Sequence, residues 1–101
     1  MPSLFSTFGY QIYFWSNENN EPIHVHVSKG KPSQHATKFW LTRNGGCVLA
    51  SNGSKISSKD LNKLTDVITA QYDYICQSWS IYFDDQNIHF YMYYLYSQLI
   101  S

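Results

Sequence analysis

The strongest constraint on the fold is a strict alternation of apolar residues and histidine along Ile23-His24-Val25-His26-Val27. Successive side chains of a β-strand point to opposite faces of the sheet, so this period of two predicts a half-buried strand. The isoleucine and both valines then share one face. The two histidines share the other, about 7 Å apart. The segment therefore predicts a sheet with one apolar face and one face that carries two imidazoles.

Neighbouring segments predict the other strands of this sheet. Residues 10–15 are dense in β-branched and aromatic side chains and end in a turn-rich loop. Residues 36–42 and 47–50 flank Asn44-Gly45-Gly46, which suits a tight hairpin turn because its central positions need positive φ. The same alternation sends four further side chains to the apolar face: Ile12, Phe14, Phe39 and Leu41.

A long helix is predicted over residues 58–83, where no glycine or proline interrupts the chain. Ser58 suits the N-cap, and Asp60 lies in the first turn, where the helix dipole favours a carboxylate. Apolar residues recur there at spacings of three and four: Leu61, Leu64, Ile68, Tyr72, Ile75, Trp79 and Tyr82.

The expected order is ββββα, with a final strand at residues 88–94. This order predicts an α+β two-layer sandwich, in which a mostly antiparallel sheet of four to five strands is covered on one face by one long helix. Residues 1–94 form the single domain, and residues 95–101 form a C-terminal tail.

Length and composition narrow the class of protein. A chain of 101 residues fits one domain, and its 44% hydrophobic residues can form a core. No apolar run reaches the roughly 20 residues that cross a bilayer, so we expect a cytoplasmic protein without membrane contact. Cys47 and Cys76 lack metal-type spacing, and we expect two buried free thiols.

The formal net charge of zero conceals an uneven distribution. Residues 29–63 hold all seven basic residues and one acid, a net charge of +6, whereas residues 1–28 carry −2 and residues 64–101 carry −4. The pattern fits either chance or a basic surface for an anionic partner such as RNA. On the second reading, the basic residues form one connected surface beside the histidines: Lys29, Lys31, Lys38, Arg43, Lys55, Lys59 and Lys63.

Three readings of His24 and His26 remain open. In the first, one imidazole removes the 2′-hydroxyl proton of RNA, and the other imidazole, Lys38 or Lys29 stabilises the phosphate, because imidazole titrates near neutral pH. In the second, they share a metal, but a metal site needs further ligands, and the candidates are His35, Glu21 and His89. In the third, they are polar residues packed against tryptophan. Of the chemical readings we favour metal-independent ribonuclease chemistry, with catalytic candidates His24, His26 and Lys38 and with no metal or other cofactor.

The face opposite the helix holds further aromatic and polar side chains. Gln11, Tyr13, Trp15 and Trp40 fall there by alternation, a set too aromatic for ordinary surface and too polar for ordinary core. Such rings stack on RNA bases, with cations contacting the phosphates, and they equally suit a protein interface. The binding candidates are Tyr13, Trp15, Lys29, Trp40 and Arg43.

Four features of the chain occur together: Gly9-Tyr10-Gln11-Ile12-Tyr13-Phe14, the Asn-rich loop to Pro22, the His24–His26 alternation and Ala36-Thr37-Lys38. With these features the chain resembles the bacterial domain of unknown function 4160 family, over roughly residues 4–92. The tail after Met92 looks longer than is usual in the family. The resemblance implies a small cytoplasmic protein that is often encoded beside another small domain, in an arrangement similar to toxin–antitoxin pairs.

Two hypotheses of function follow. The first is a toxin–antitoxin-type module that acts on or binds RNA through the histidine-bearing face. The second is a non-enzymatic interaction module, either an antitoxin-like partner of the neighbouring protein or a homo-oligomer, and the neutral net charge favours it.

Overall fold

The computed structural model describes residues 3–15, 21–83 and 90–91, and these form one antiparallel sheet followed by two helices. Each strand pairs with the next along the chain, so the sheet order is the sequence order. The α+β class is thereby confirmed. The strands and helices are β1 (Ser3–Thr7), β2 (Tyr10–Tyr13), β3 (His24–Lys29), β4 (Thr37–Leu41), β5 (Cys47–Asn52), α1 (Ser58–Ala70) and α2 (Tyr72–Phe83).

Strand β1 is absent from the strands that the sequence predicts. It pairs with β2 through a two-residue turn in which Phe8 and Gly9 both have positive φ, 29° and 91°. Positive φ at both central positions is the requirement of a type I′ hairpin turn, whose twist matches that of the flanking strands. The sequence signal was Gly9 alone, because Ser3–Thr7 does not alternate regularly between apolar and polar residues.

The predicted facing of the strands is confirmed. In the sheet register Val25 lies opposite Phe39, and both belong to a core that also contains Ile12, Phe14 and Leu41. The helices contribute their own buried side chains to this core: Leu64, Ile68, Ile75 and Trp79. Side chains of both helices therefore pack into the same core as the apolar face of the sheet.

The expectation of one long helix is wrong, because the helix is interrupted at Gln71. This residue has φ −100° and ψ 16°, and its N–H still bonds to the carbonyls of Val67 and Ile68. No glycine or proline marks the break, so the apolar spacing alone could not reveal it. The N-cap is Ser57 rather than Ser58, and its hydroxyl oxygen accepts the Asp60 N–H at 3.2 Å.

The expected last strand and the domain boundary at residue 94 fall mainly outside the described residues. Of residues 88–94 only Phe90 and Tyr91 are described, and neither is assigned to a strand. Phe90 stacks on Tyr72 with ring centroids 6.1 Å apart, and the Tyr91 N–H donates to the Leu41 carbonyl at 3.3 Å. Across the described ranges, no helix has the length and apolar character that a membrane crossing requires.

Candidate binding face

One surface of the sheet carries six of the predicted site residues, and we call it the histidine face: Tyr13, Trp15, His24, His26, Lys38 and Trp40. The strand register brings them together. His26 lies between Tyr13 of β2 and Lys38 of β4, and His24 lies opposite Trp40. The two imidazole centroids are 5.0 Å apart, nearer than strand geometry alone predicts. The structure therefore brings these six predicted residues together on one surface.

His24 is fully enclosed within the histidine face. It has no exposed surface, and its ring lies 5.4 Å from that of Trp40 and 5.2 Å from that of Trp79 on α2. Its Nδ1 is 2.8 Å from the Pro22 carbonyl oxygen. A carbonyl oxygen can only accept, so Nδ1 carries the proton in this contact. Direct contact between His24 and a ligand would require the surrounding rings to move.

His26 is the accessible histidine of the histidine face. It is half-buried and stacks on Tyr13, with ring centroids 5.7 Å apart and an interplanar angle of 28°. Trp15 packs beside it at 6.4 Å. Because its cross-strand partner is Lys38, an imidazole and an ammonium group stand on neighbouring strands of one partly exposed surface.

Tyr13 is buried, in contrast to the exposed ring that a base-stacking role requires. The connection between β3 and β4 covers it: the Tyr13 hydroxyl donates to the Ser33 carbonyl and accepts the Ser33 N–H, both at 3.1 Å. Nothing in the sequence pairs Ser33 with Tyr13, because the contact depends on the path of a loop. The accessible rings of the face are therefore Trp15, His26 and Trp40.

Lys38 is held by two partners. Its Nζ lies 4.0 Å above the centroid of the Trp40 ring and 2.8 Å from Glu21 Oε1. Trp40 also stacks on Tyr91, with centroids 5.3 Å apart and planes 8° from parallel. The alternation of the strands predicts neither the Glu21 contact nor the Tyr91 contact, because Glu21 precedes β3 and Tyr91 follows α2. From the sequence, Glu21 was a candidate only as a metal ligand. The Glu21 carboxylate offsets the charge of Lys38, so the face is aromatic and close to neutral.

Lys29 and Arg43 lie away from this cluster. Lys29 follows His26 by about 10 Å along β3, and it lines a cavity of about 310 Å³ together with Tyr10, Lys55 and Asp60. Arg43 is exposed in the turn after β4. Neither is paired in the strand register with a residue of the histidine face.

The expectation of one connected basic surface is wrong. Lys59 and Lys63 belong to α1, which packs on the opposite face of the sheet from His26. The Lys63 ammonium lies 5.7 Å from the Phe8 ring, at the β1–β2 turn. The +6 segment therefore divides between two sides of the domain, because a strand hairpin and the helix that follows it cover different surfaces.

The cysteines are free and half-buried, and neither is activated as a nucleophile. Burial raises the pKa of the Cys76 thiol to about 11 and also raises the pKa of Cys47. Both are therefore protonated thiols at neutral pH, whereas thiol chemistry requires the thiolate.

Metal-ligating residues do not converge in the part of the chain that the structure describes, where no group of three or more His, Cys, Asp or Glu could hold an ion. Of the ligands considered beside the two histidines, His35 is exposed and Glu21 is paired with Lys38, whereas His89 lies outside the described residues.

Fold and face together define a small α+β domain with a histidine and tryptophan surface on its sheet. Residues 9–80 match the family described as Domain of unknown function (DUF4160), and the chain belongs to that family. The match covers more than half of the chain and includes every member of the histidine face. No curated protein and no solved structure matches the chain.

Proposed function

We propose that the chain is the binding module of a toxin–antitoxin-type pair and that the histidine face binds a small cognate protein encoded beside it. The observation that carries this proposal is the charge of the face: Lys38 is paired with Glu21, whereas Lys59 and Lys63 lie on the opposite side. Aromatic surfaces with little free charge are typical of the cores of protein interfaces. In this proposal the domain is a two-layer cytoplasmic protein whose helices leave the histidine face open.

The accessible rings support the assignment of individual roles. Trp15 and Trp40 are half-buried in the free domain, so a partner can cover them further at little cost in side-chain ordering. His24 and Tyr13 are already buried beneath them, and they act by holding the outer rings in place. The family resemblance implies the expected gene arrangement, and the half-buried rings support the choice of the histidine face as the binding surface.

The test is co-expression with the neighbouring gene product and measurement of the complex by calorimetry. Trp15→Ala should weaken binding at least tenfold. This corresponds to a loss of at least about 1.4 kcal/mol of binding free energy, as expected for an important interface residue. Gln77→Ala, on the exposed side of α2, is the matched control and should bind as the wild type does. A neighbouring protein that fails to bind, or a Trp15 variant that binds unchanged, contradicts the proposal.

RNA binding is the second candidate, and one observation favours it: His26 and Lys38 are cross-strand partners on the accessible part of the face. An imidazole and an ammonium group beside a tryptophan can contact a phosphate and a stacked base. Metal-independent cleavage would then use His26 as the proton-transferring group and Lys38 to stabilise the charge on phosphate.

The RNA candidate is tested with single-stranded RNA in the presence of EDTA. Binding or cleavage by the wild type that His26→Ala and Lys38→Ala both abolish supports it, whereas an Arg43→Ala control should retain the activity. An inactive wild type, or a His24→Ala and His26→Ala double variant as active as the wild type, excludes it.

A further inference from the structure

The two outer strands of the described sheet, β1 and β5, differ in how far their outer edges are occupied. Both strands carry a register shift, at Leu4 in β1 and at Ala50 in β5. At β1, the Tyr74 hydroxyl also donates to the Leu4 carbonyl at 3.3 Å. A covering side chain of this kind hinders the pairing of an edge with another strand.

On strand β5, backbone N–H and C=O groups point outward, away from the neighbouring strand β4. The Leu41 N–H bonds to Ile23 on the β3 side, so the alternation turns the N–H and C=O of Trp40 toward β5, where Trp40 lies opposite Val48. The backbone groups of Cys47 and Leu49 consequently point outward. In the described part of the chain, no strand pairs with this edge.

The side chains of β5 lack the devices that keep an edge strand unpaired. Its six residues, Cys47–Asn52, contain no charged residue and no proline, and Leu49 is 45% exposed. Natural sheets usually place lysine, proline or a covering segment at such an edge. A register shift leaves Ala50 without a direct partner, so the regular part of the edge is Cys47–Leu49.

The charge pattern indicates which partner this edge fits. A two-fold axis at the middle of the strand brings the residues beside it near their own copies, so a charge there would meet a charge of the same sign. A strand without charge is compatible with itself. We propose that β5 pairs antiparallel with β5 of a second copy of this chain, about an axis at Val48.

In this arrangement Cys47 of each copy lies opposite Leu49 of the other, and each such pair exchanges two backbone hydrogen bonds. Val48 faces its own copy. The two sheets become one, and their equivalent faces lie on the same side, because directly opposed residues of an antiparallel pair project the same way. Val48 pairs with Trp40, so the contact joins the two histidine faces into one surface.

The first test is sedimentation velocity of the full chain over a range of concentrations. The wild type should form a dimer as concentration rises, and Leu49→Lys should remain a monomer because it places two ammonium groups at the contact. Gln77→Lys adds the same charge on the exposed side of α2 and should form a dimer like the wild type. A wild type that is monomeric throughout, or a Leu49 variant that dimerises equally well, overturns the proposal.

The second test locates the axis and does not depend on a destabilising charge. Val48→Cys, in a chain with Cys47→Ala and Cys76→Ala, should form a disulfide-linked dimer on oxidation. Opposed residues of a non-hydrogen-bonded pair have Cα atoms about 4.5 Å apart, within disulfide reach. The matched control is Ala50→Cys in the same background, whose copies would be about 13 Å apart along the strands and should not cross-link. Equal cross-linking of both variants contradicts the proposed register.

Discussion

The two faces of the sheet are made by the same strands, yet they are held together differently. Val25 and Phe39 belong to a continuous apolar core that also contains buried side chains of both helices. Their neighbours His24, His26 and Trp40 form contacts among aromatic rings, between strands that are already adjacent. One alternating sequence thus builds an apolar face that stabilises the fold and a second face of imidazole and indole side chains.

The histidine face is covered by local contributions from connections rather than by a layer of secondary structure. Ser33 covers Tyr13, Pro22 bonds to His24, and Glu21 pairs with Lys38. From α2, Trp79 reaches it, and its ring lies 5.2 Å from His24 and 5.0 Å from Phe14 of the core. Substitutions on the helix-covered face should therefore reduce stability, whereas most on the histidine face should reduce binding.

The largest effect is expected at Trp79, the side chain shared by both faces. Trp79→Ala should lower the free energy of unfolding by about 3–5 kcal/mol, the usual cost of deleting a large buried ring. Urea denaturation measures this change. Ile81→Ala is the control on the same helix, because Ile81 is 72% exposed, and it should change stability by no more than about 0.5 kcal/mol. Equal losses in both variants would mean that α2 does not pack on the sheet through Trp79.

The next effect separates the two histidines. His24→Ala removes a fully buried ring and leaves the Pro22 carbonyl without its donor, so we expect a loss of about 1–3 kcal/mol. His26→Ala should cost less than about 1 kcal/mol, because His26 is half-buried. Denaturation of the two single variants in parallel checks the difference. A larger loss for His26 would place that residue, rather than His24, with the core.

The histidine face also shows which of its features can be predicted from the sequence. Period-two alternation suffices to assign His24, His26, Lys38 and Trp40 to one surface, because alternation in a strand fixes the side to which each residue points. It does not predict that His24 is buried or that Tyr13 is covered. Burial on that face depends on Pro22 and Ser33, and the paths of connections have no periodic signal.

The helical region illustrates a second limit. Leu64, Ile68, Ile75 and Trp79 keep one phase across Gln71, so a straight helix and an interrupted helix have the same apolar pattern. The segregation of charge along the chain also did not predict where the charged side chains lie in the structure. Residues 29–63 run from the end of β3 to the middle of α1, and elements on opposite faces of a sheet cannot form one surface.

Ionisable groups on the helix-covered face should make the stability of the domain sensitive to alkaline pH. Burial raises the pKa of Tyr72 to about 12, and the Tyr72 hydroxyl donates to the Thr42 carbonyl at 2.6 Å. The folded chain then keeps a proton that the unfolded chain loses above about pH 10, so stability falls as the pH rises from 10 to 12. The pKa of Cys76 is also raised, to about 11, so this thiol likewise makes stability fall as the pH rises above about 9.

Urea midpoints between pH 8 and pH 11 measure this decline. Tyr72→Phe should start from a lower stability, because the bond to Thr42 is lost, and should decline less steeply with pH. A variant whose decline is as steep as that of the wild type would assign the alkaline sensitivity to other groups.

The smallest effect is expected for the ion pair of the histidine face. Lys38 and Glu21 approach to 2.8 Å, but the Glu21 side chain is 41% exposed, so water and salt screen the attraction. A double-mutant cycle with Lys38→Met and Glu21→Gln should give a coupling energy of about 0–1 kcal/mol in the free domain. The same cycle measured on binding to the cognate protein should give a larger coupling, because a bound partner excludes water from the pair. Equal coupling in the free and bound states would mean that the partner leaves Lys38 and Glu21 in water and contacts another surface.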